Sequence, residues 1–246
     1  NKPQLLFSEF KNIAIHNESE LSIRNINGQI YIDNTSGYLH LDSNKASLSL
    51  PDPYSRAFTF KKLKTSFRWR KLTNLWRITS PKMYLELDNI SLSQKFTFDW
   101  TGSLKTSYLS LDGNLDGHSI EELKPYLPIK TMNRQLKKWL RNSIVSLPKL
   151  TGHVQLKGLL GDFPFVNSNG IFSVELNAQD ATLKFHPKWP VAKHLDTKII
   201  FNKQDLLADV SQAKLGKNKI SDLSILIKPL GEHVQHLYLK GSGKFK

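Results

Sequence analysis

The chain has 246 residues, 39% hydrophobic and 10% aromatic, too apolar for a disordered polymer and sufficient for a substantial core. Its formal charge is +14, and the absence of cysteine excludes disulfides, thiolate metal sites and cysteine nucleophiles. No run of about 18 apolar residues suits a membrane-spanning helix, and no signal peptide precedes "NKPQLLF".

The first residue is Asn, and the last strand-like run stops at Lys246. We therefore expect an excised piece of a longer protein. The positive charge is uneven. Residues 54–85 hold nine Lys/Arg and residues 123–161 hold eight, with no acid in either stretch. Such stretches suit either a polyanionic neighbour or a solvated basic face.

In chain order, period-2 alternation dominates. "YLHLD" (38–42), "YLELD" (84–88) and "YLSLD" (108–112) are near copies of one strand pattern, with the two leucines on one face. "KASLSL", "ISLSQKFTFDW", "GIFSVELNA", "ATLKF" and "DLSILIKPL" read alike. Asn27-Gly28, Ser36-Gly37, Asp112-Gly113 and Asn169-Gly170 read as turns between them. Between the first two copies, "FTFKKLKTSFRWRKLTNLW" (58–76) interleaves aromatics with cations. Single-strand nucleic-acid binders do this, and so does a half-buried strand with a cationic outer face.

From Ser119 to about Leu147 the period becomes helical. Ser119 and Glu122 form a capping box, and Pro125 and Pro128 limit the helix it opens. A second helix places Met132, Leu136, Trp139, Leu140 and Ile144 on one face, with Arg134, Lys137, Lys138 and Arg141 largely opposite. It suits an anionic membrane surface or packing on a sheet. Strands resume near Gly152. In "ATLKFHPKWP" (181–190), Ala181, Leu183 and Phe185 share a strand face that Pro187 ends, and Trp189 covers the apolar edge. The expected fold is mostly β (α+β): one long, antiparallel, curled sheet forming a hydrophobic groove. Its parts are strands over 1–117, a helical insert over 118–148 and strands over 149–246.

Motifs for chemistry are weak. Asp112, Asn114, Asp116 and Gly117 fit the opening of a calcium loop, but the twelfth position is Leu123 rather than Glu. His233 and His236 would point to opposite faces of a strand. No nucleophile elbow, phosphate loop or dinucleotide fingerprint occurs. No cofactor, metal or enzymatic activity is expected.

A long sheet with one apolar face must bury it by forming a sandwich, closing into a barrel, taking helices or curling into a trough. One helical insert cannot cover some fifteen strands. A trough suits acyl chains, with charged head groups at its edge. Leu85, Leu87, Phe96, Phe98, Trp100, Leu109, Leu111, Phe172, Val174, Leu176, Leu183, Phe185, Ile199, Phe201, Ile225 and Ile227 are the candidate lining, and ordinary core packing is the competing assignment for each.

Several pieces together resemble the YhdP-type members of the AsmA-like family of Gram-negative envelope proteins. They are Tyr126-Leu127-Pro128, Trp139-Leu140, Phe163-Pro164, Gly170 with Phe172, Ala181-x-Leu183-x-Phe185, Pro187-x-Trp189-Pro190, Leu195 and Leu215-Gly216. The match covers roughly 120–230 well, and residues 1–117 only in character. "SLPKLTG" (146–152) is longer than the pattern, and Phe185 replaces a common tyrosine. The resemblance implies a periplasmic segment of a large protein anchored in the inner membrane. Such proteins look like bridges carrying phospholipid to the outer membrane along a β-groove, with no catalytic residues to transfer. Phospholipid is thus the implied partner, with both membranes reached through other parts of the protein and no nucleic acid. A basic nucleic-acid-binding module and a closed-core envelope scaffold remain the alternatives.

Overall fold

A computed structural model of the chain describes residues 5–16, 22–49, 57–119, 143–184, 188, 190–229 and 236–244. The first half contains β1 (Leu6–His16), β2 (Ser22–Ile32), β3 (Ser36–Ser49), β4 (Phe58–Lys71), β5 (Trp76–Glu86), β6 (Ile90–Trp100) and β7 (Tyr108–His118). The second contains β8 (Ile144–Ser146), β9 (Lys149–Leu159), β10 (Ile171–Leu183), β11 (Ala192–Asn202), β12 (Asp205–Leu215), β13 (Asn218–Lys228) and β14 (His236–Lys244).

The strands form one antiparallel sheet in chain order, β1 to β7 followed by β9 to β14. Only β8 stands off this path, pairing with the end of β10 through Thr182↔Ser146 and Leu183↔Ile144. Since β1 and β14 do not pair, the sheet does not close into a barrel. Thirteen strands side by side span roughly 58 Å at the usual inter-strand spacing.

The register explains why alternating sequences build this sheet. Phe96 faces Leu111 and Phe98 faces Leu109, then Leu111 faces Leu156 and Leu156 faces Phe172. The series continues through Val174↔Phe201, Phe201↔Leu206, Leu206↔Ile227 and Ile227↔Leu237. Each pair places apolar side chains on the same face. The residues between them are polar through most of the sheet, but Ile200, Leu207, Leu226 and Tyr238 form a shorter apolar ladder on the other face.

Alternation is interrupted midway along many strands. Asn12, Asn25, Lys45, Asp180, His194 and Asp222 have positive φ, and each lies within a stretch where the register shifts. Each bulge inserts a residue, bends its strand and increases the local twist. On the apolar face, the side chains buried along this line of bends are mostly small: Ser43 and Ser80 at 0% exposure, Thr65 at 2%, and Ala46, Ala178, Ala181 and Ala192, joined by Leu195. On a flat sheet such short side chains would be overlooked by solvent, so their burial requires neighbours to converge over them. The apolar face is therefore the inside of the curl.

Two expectations change here. Residues 144–146 are a strand rather than the end of a helix, because Leu183 and Thr182 on β10 offer them an open ladder position. The remainder of the helical assignment, including the capping-box partner Glu122, lies outside the described residues. Asn27-Gly28 and Asp112-Gly113 lie inside β2 and β7 and are not turns. A Cβ at Gly28 would collide with the carbonyl oxygen of His40, so close backbone approach is what demands glycine there.

Candidate functional site

Among the described residues, the inner face is the extended feature able to hold a ligand. Of the sixteen candidate lining residues, fifteen are described, and the register places all fifteen on this face. Phe185 lies outside the described residues, as do His186 and Trp189. Leu87, just beyond β5, is buried at 5% exposure, and the other fourteen are half-buried. Leu183 joins Leu176 on one face although their numbers differ in parity, because the bulge at Asp180 resets the alternation.

The face divides lengthwise. Two buried clusters lie along one long rim: Ile26, Ala46, Phe60, Leu87 and Ile90, and then Leu147, Leu150, Ala178, Ala181, Leu195, Val210 and Ala213. Toward the opposite rim the side chains are larger and remain partly open to solvent. Phe67 and Phe96 approach at 6.0 Å between ring centroids, Phe98 and Trp100 at 6.1 Å. Trp76 stands opposite Trp100, with Lys71 Nζ 6.0 Å from its ring. Phe67, Trp69, Trp76, Phe96, Phe98 and Trp100 are only half-buried, whereas Ser43, Thr65 and Ser80 on the same face are buried. These large side chains of this half of the face are not the ones a closed core would leave open.

Several inner-face residues were not among the candidates. Trp69, Trp76, Ile78, Val154, Leu156 and Leu206 share the face and were legible from the same alternation. The loop 160–170 was not legible as part of the site. It folds back so that Phe165, fully buried, fills the room left by the absent side chains of Gly158 and Gly170. Phe163 then meets Phe172 edge-on at 4.9 Å.

Over its first half the outer face is mostly polar, and several of its charges are paired. Arg77 donates from Nε and a terminal nitrogen to both oxygens of Asp99, each at 2.6 Å. The hydrogen bond and charge of Asp99 raise the Arg77 pKa. Lys198 sits 2.9 Å from Glu175 and holds that carboxyl below its ordinary range, chiefly through their hydrogen bond. Lys62, Lys64, Arg68 and Arg70 occupy this outer face, opposite Phe67 and Trp69. Of the cations in 58–76, these four are thereby separated by the sheet from Phe67 and Trp69, and Lys71 meets an aromatic of the stretch, Trp76.

The residues that resemble the opening of a calcium loop do not form a loop. Residues 108–118 are a strand, so Asp112, Asn114 and Asp116 alternate along β7, facing Lys95, Ser93 and Ser91 instead of encircling an ion. A depression of about 570 Å³ lined by Asp196, Asp209 and Asp222 is rich in acids. Among the described residues, no three His, Asp or Glu gather as a metal would need. His236 lies on β14, and His233 is outside the described residues.

Against this geometry, the profile of the YhdP family, described as YhdP protein, matches residues 4–244. The chain belongs to the YhdP family. The match extends over the first half, where the sequence had shown only a likeness of character. No curated protein and no solved structure gave a significant match. The YhdP family is an AsmA-like lipid-transport family of the Gram-negative envelope. No helix among the described residues is long and apolar enough to cross a membrane.

Proposed function

We propose that this chain is a periplasmic segment that binds phospholipid acyl chains along its inner face and conducts them between the inner and outer membranes, supporting lipid homeostasis of the outer membrane. The observation that carries this reading is the apolar face that runs from strand to strand across the sheet and leaves Phe67, Phe96, Phe98 and Trp100 partly open. Soluble monomers rarely leave apolar patches beyond a few hundred Å² uncovered. Half a bilayer's hydrocarbon core is about 15 Å thick, so a face roughly 58 Å long holds several lipids in line. Chains lying on such a surface need no specific hydrogen bonds and can slide, which is what conduction requires. The protein acts as a conduit and not as an enzyme.

Photo-crosslinking tests the reading. A benzophenone side chain at Phe98 or Leu176, on the inner face, should capture acyl chains in envelope membranes. The same group at Thr97 or Glu175, on the outer face, should capture none. Equal labelling of the two faces would sink the proposal. Native mass spectrometry after gentle extraction should also show bound phospholipid, and a lipid-free chain that takes up no apolar dye would favour the closed scaffold.

A further inference from the structure

Near one end of β11, β12 and β13, the outer face carries a row of lysines. Lys193 stands directly opposite Lys214, and Lys214 directly opposite Lys219. The register continues to Lys244 on β14. Neighbouring strands lie about 4.8 Å apart, so like charges follow one another at that spacing, which destabilises a sheet unless an anion covers them. Lys193, Lys214 and Lys219 are exposed, as are Lys217 in the β12–β13 turn and Lys184 after β10. None of the five forms an ion pair among the described residues. Two carboxylates farther along the strands have other partners. Asp180 Oδ1 lies 2.8 Å from His194 Nδ1, and Asp196 accepts from the Asp180 amide at 2.8 Å and from Gln212 Nε2 at 2.6 Å. Among the described residues, the row is a cationic edge without an ion-pair partner.

We propose that this lysine row docks the rim of the trough on an anionic phospholipid bilayer. Lipid phosphates present a dense plane of acceptors, and each lysine near such a surface contributes a roughly fivefold gain in binding. The net charge of +14 adds long-range attraction. The adjoining outer-face positions are Asp196, Gln212 and Ser221, so no aromatic platform for bases accompanies the cations. On the other side of the same strands lie Ala192, Leu195 and Ala213. Docking there brings the rim of the apolar trough against the head groups.

The test is flotation of the whole chain with vesicles of phosphatidylcholine alone, or with about one quarter phosphatidylglycerol, at rising salt. The wild type should float with the anionic vesicles only, and salt should release it. The triple variant Lys193→Gln, Lys214→Gln, Lys219→Gln should bind at least about tenfold more weakly, while replacement of the same three by arginine should retain binding. All three sites are exposed, and circular dichroism checks that each variant keeps its strands. Equal flotation on neutral vesicles, or unchanged affinity in the glutamine variant, overturns the proposal. So does capture of a single-stranded oligonucleotide without vesicle binding. A chain that floats as expected but yields no acyl crosslink retains this docking surface and loses the groove.

Discussion

Asp33 holds the β2–β3 turn by accepting hydrogen bonds from the amides of Thr35 and Ser36, both at 2.7 Å, and from the Ser36 hydroxyl at 2.5 Å. The Ser36 hydroxyl and then the Thr35 amide favour the ionised carboxylate and lower its pKa. The charged form is thus bound more strongly in the folded chain than in the unfolded one. This stabilisation is fully present above the unfolded-state pKa and disappears as the pH falls through the lower folded-state value. Asp33→Asn is accordingly expected to lower Tm at neutral pH, with the difference from wild type closing in strong acid. Thermal unfolding followed at about pH 7 and about pH 2 measures it. An equal gap at both would mean that the charge plays no part.

At the scale of the strand, the bulges decide which side chains share a face. Asp222 is exposed and has a φ of 53°, a region that Asp tolerates better than most residues and that β-branched side chains avoid. Asp222→Val should destabilise by about 1–2 kcal/mol, whereas Asp222→Gly should change stability by less than about 1 kcal/mol. Urea unfolding of the two variants distinguishes them. Similar losses in both would show that the carboxylate, and not the backbone conformation, matters at this position. The bulges also explain a limit of sequence reading. In β10, Phe172, Val174, Leu176 and Ala178 are even-numbered, while Ala181 and Leu183 are odd. Strict alternation would put the last two outside. The bulge at Asp180 returns them to the inner face.

For the molecule as a whole, an open sheet has two edges, and both are apolar. Leu6 and Phe7 on β1 are 56% and 65% exposed, and Leu237 and Leu239 on β14 are 59% and 63%. Among the described residues, neither edge strand has a partner on its outer side. Such edges template further pairing. The isolated chain should therefore associate as its concentration rises, and Leu237→Lys with Leu239→Lys should reduce that association in sedimentation velocity. A monomer at all concentrations would show that something else guards the edges. Much of the candidate site was legible at this scale too, because every strand repeats the same inward-facing pattern. The Phe163–Phe165 loop was not, since the burial of Phe165 depends on Gly158 of β9 and on Gly170 at the loop's far end.

The sequence by itself determined the antiparallel strands, the apolar and polar sides of most of them, and the likeness to the YhdP family. These follow from period-2 patterning and local composition, which each segment carries alone. Only the tertiary structure decided that Asp112-Gly113 lies within a strand, that residues 144–146 add to β10, and that Lys193, Lys214 and Lys219 stand in one row. Curvature was decided there as well, because bends on separate strands must align before Ser43, Thr65 and Ser80 are buried and the aromatics left open. Pairing between distant segments sets register, and register places charges, glycines and bulges beside neighbours that no single stretch of chain contains.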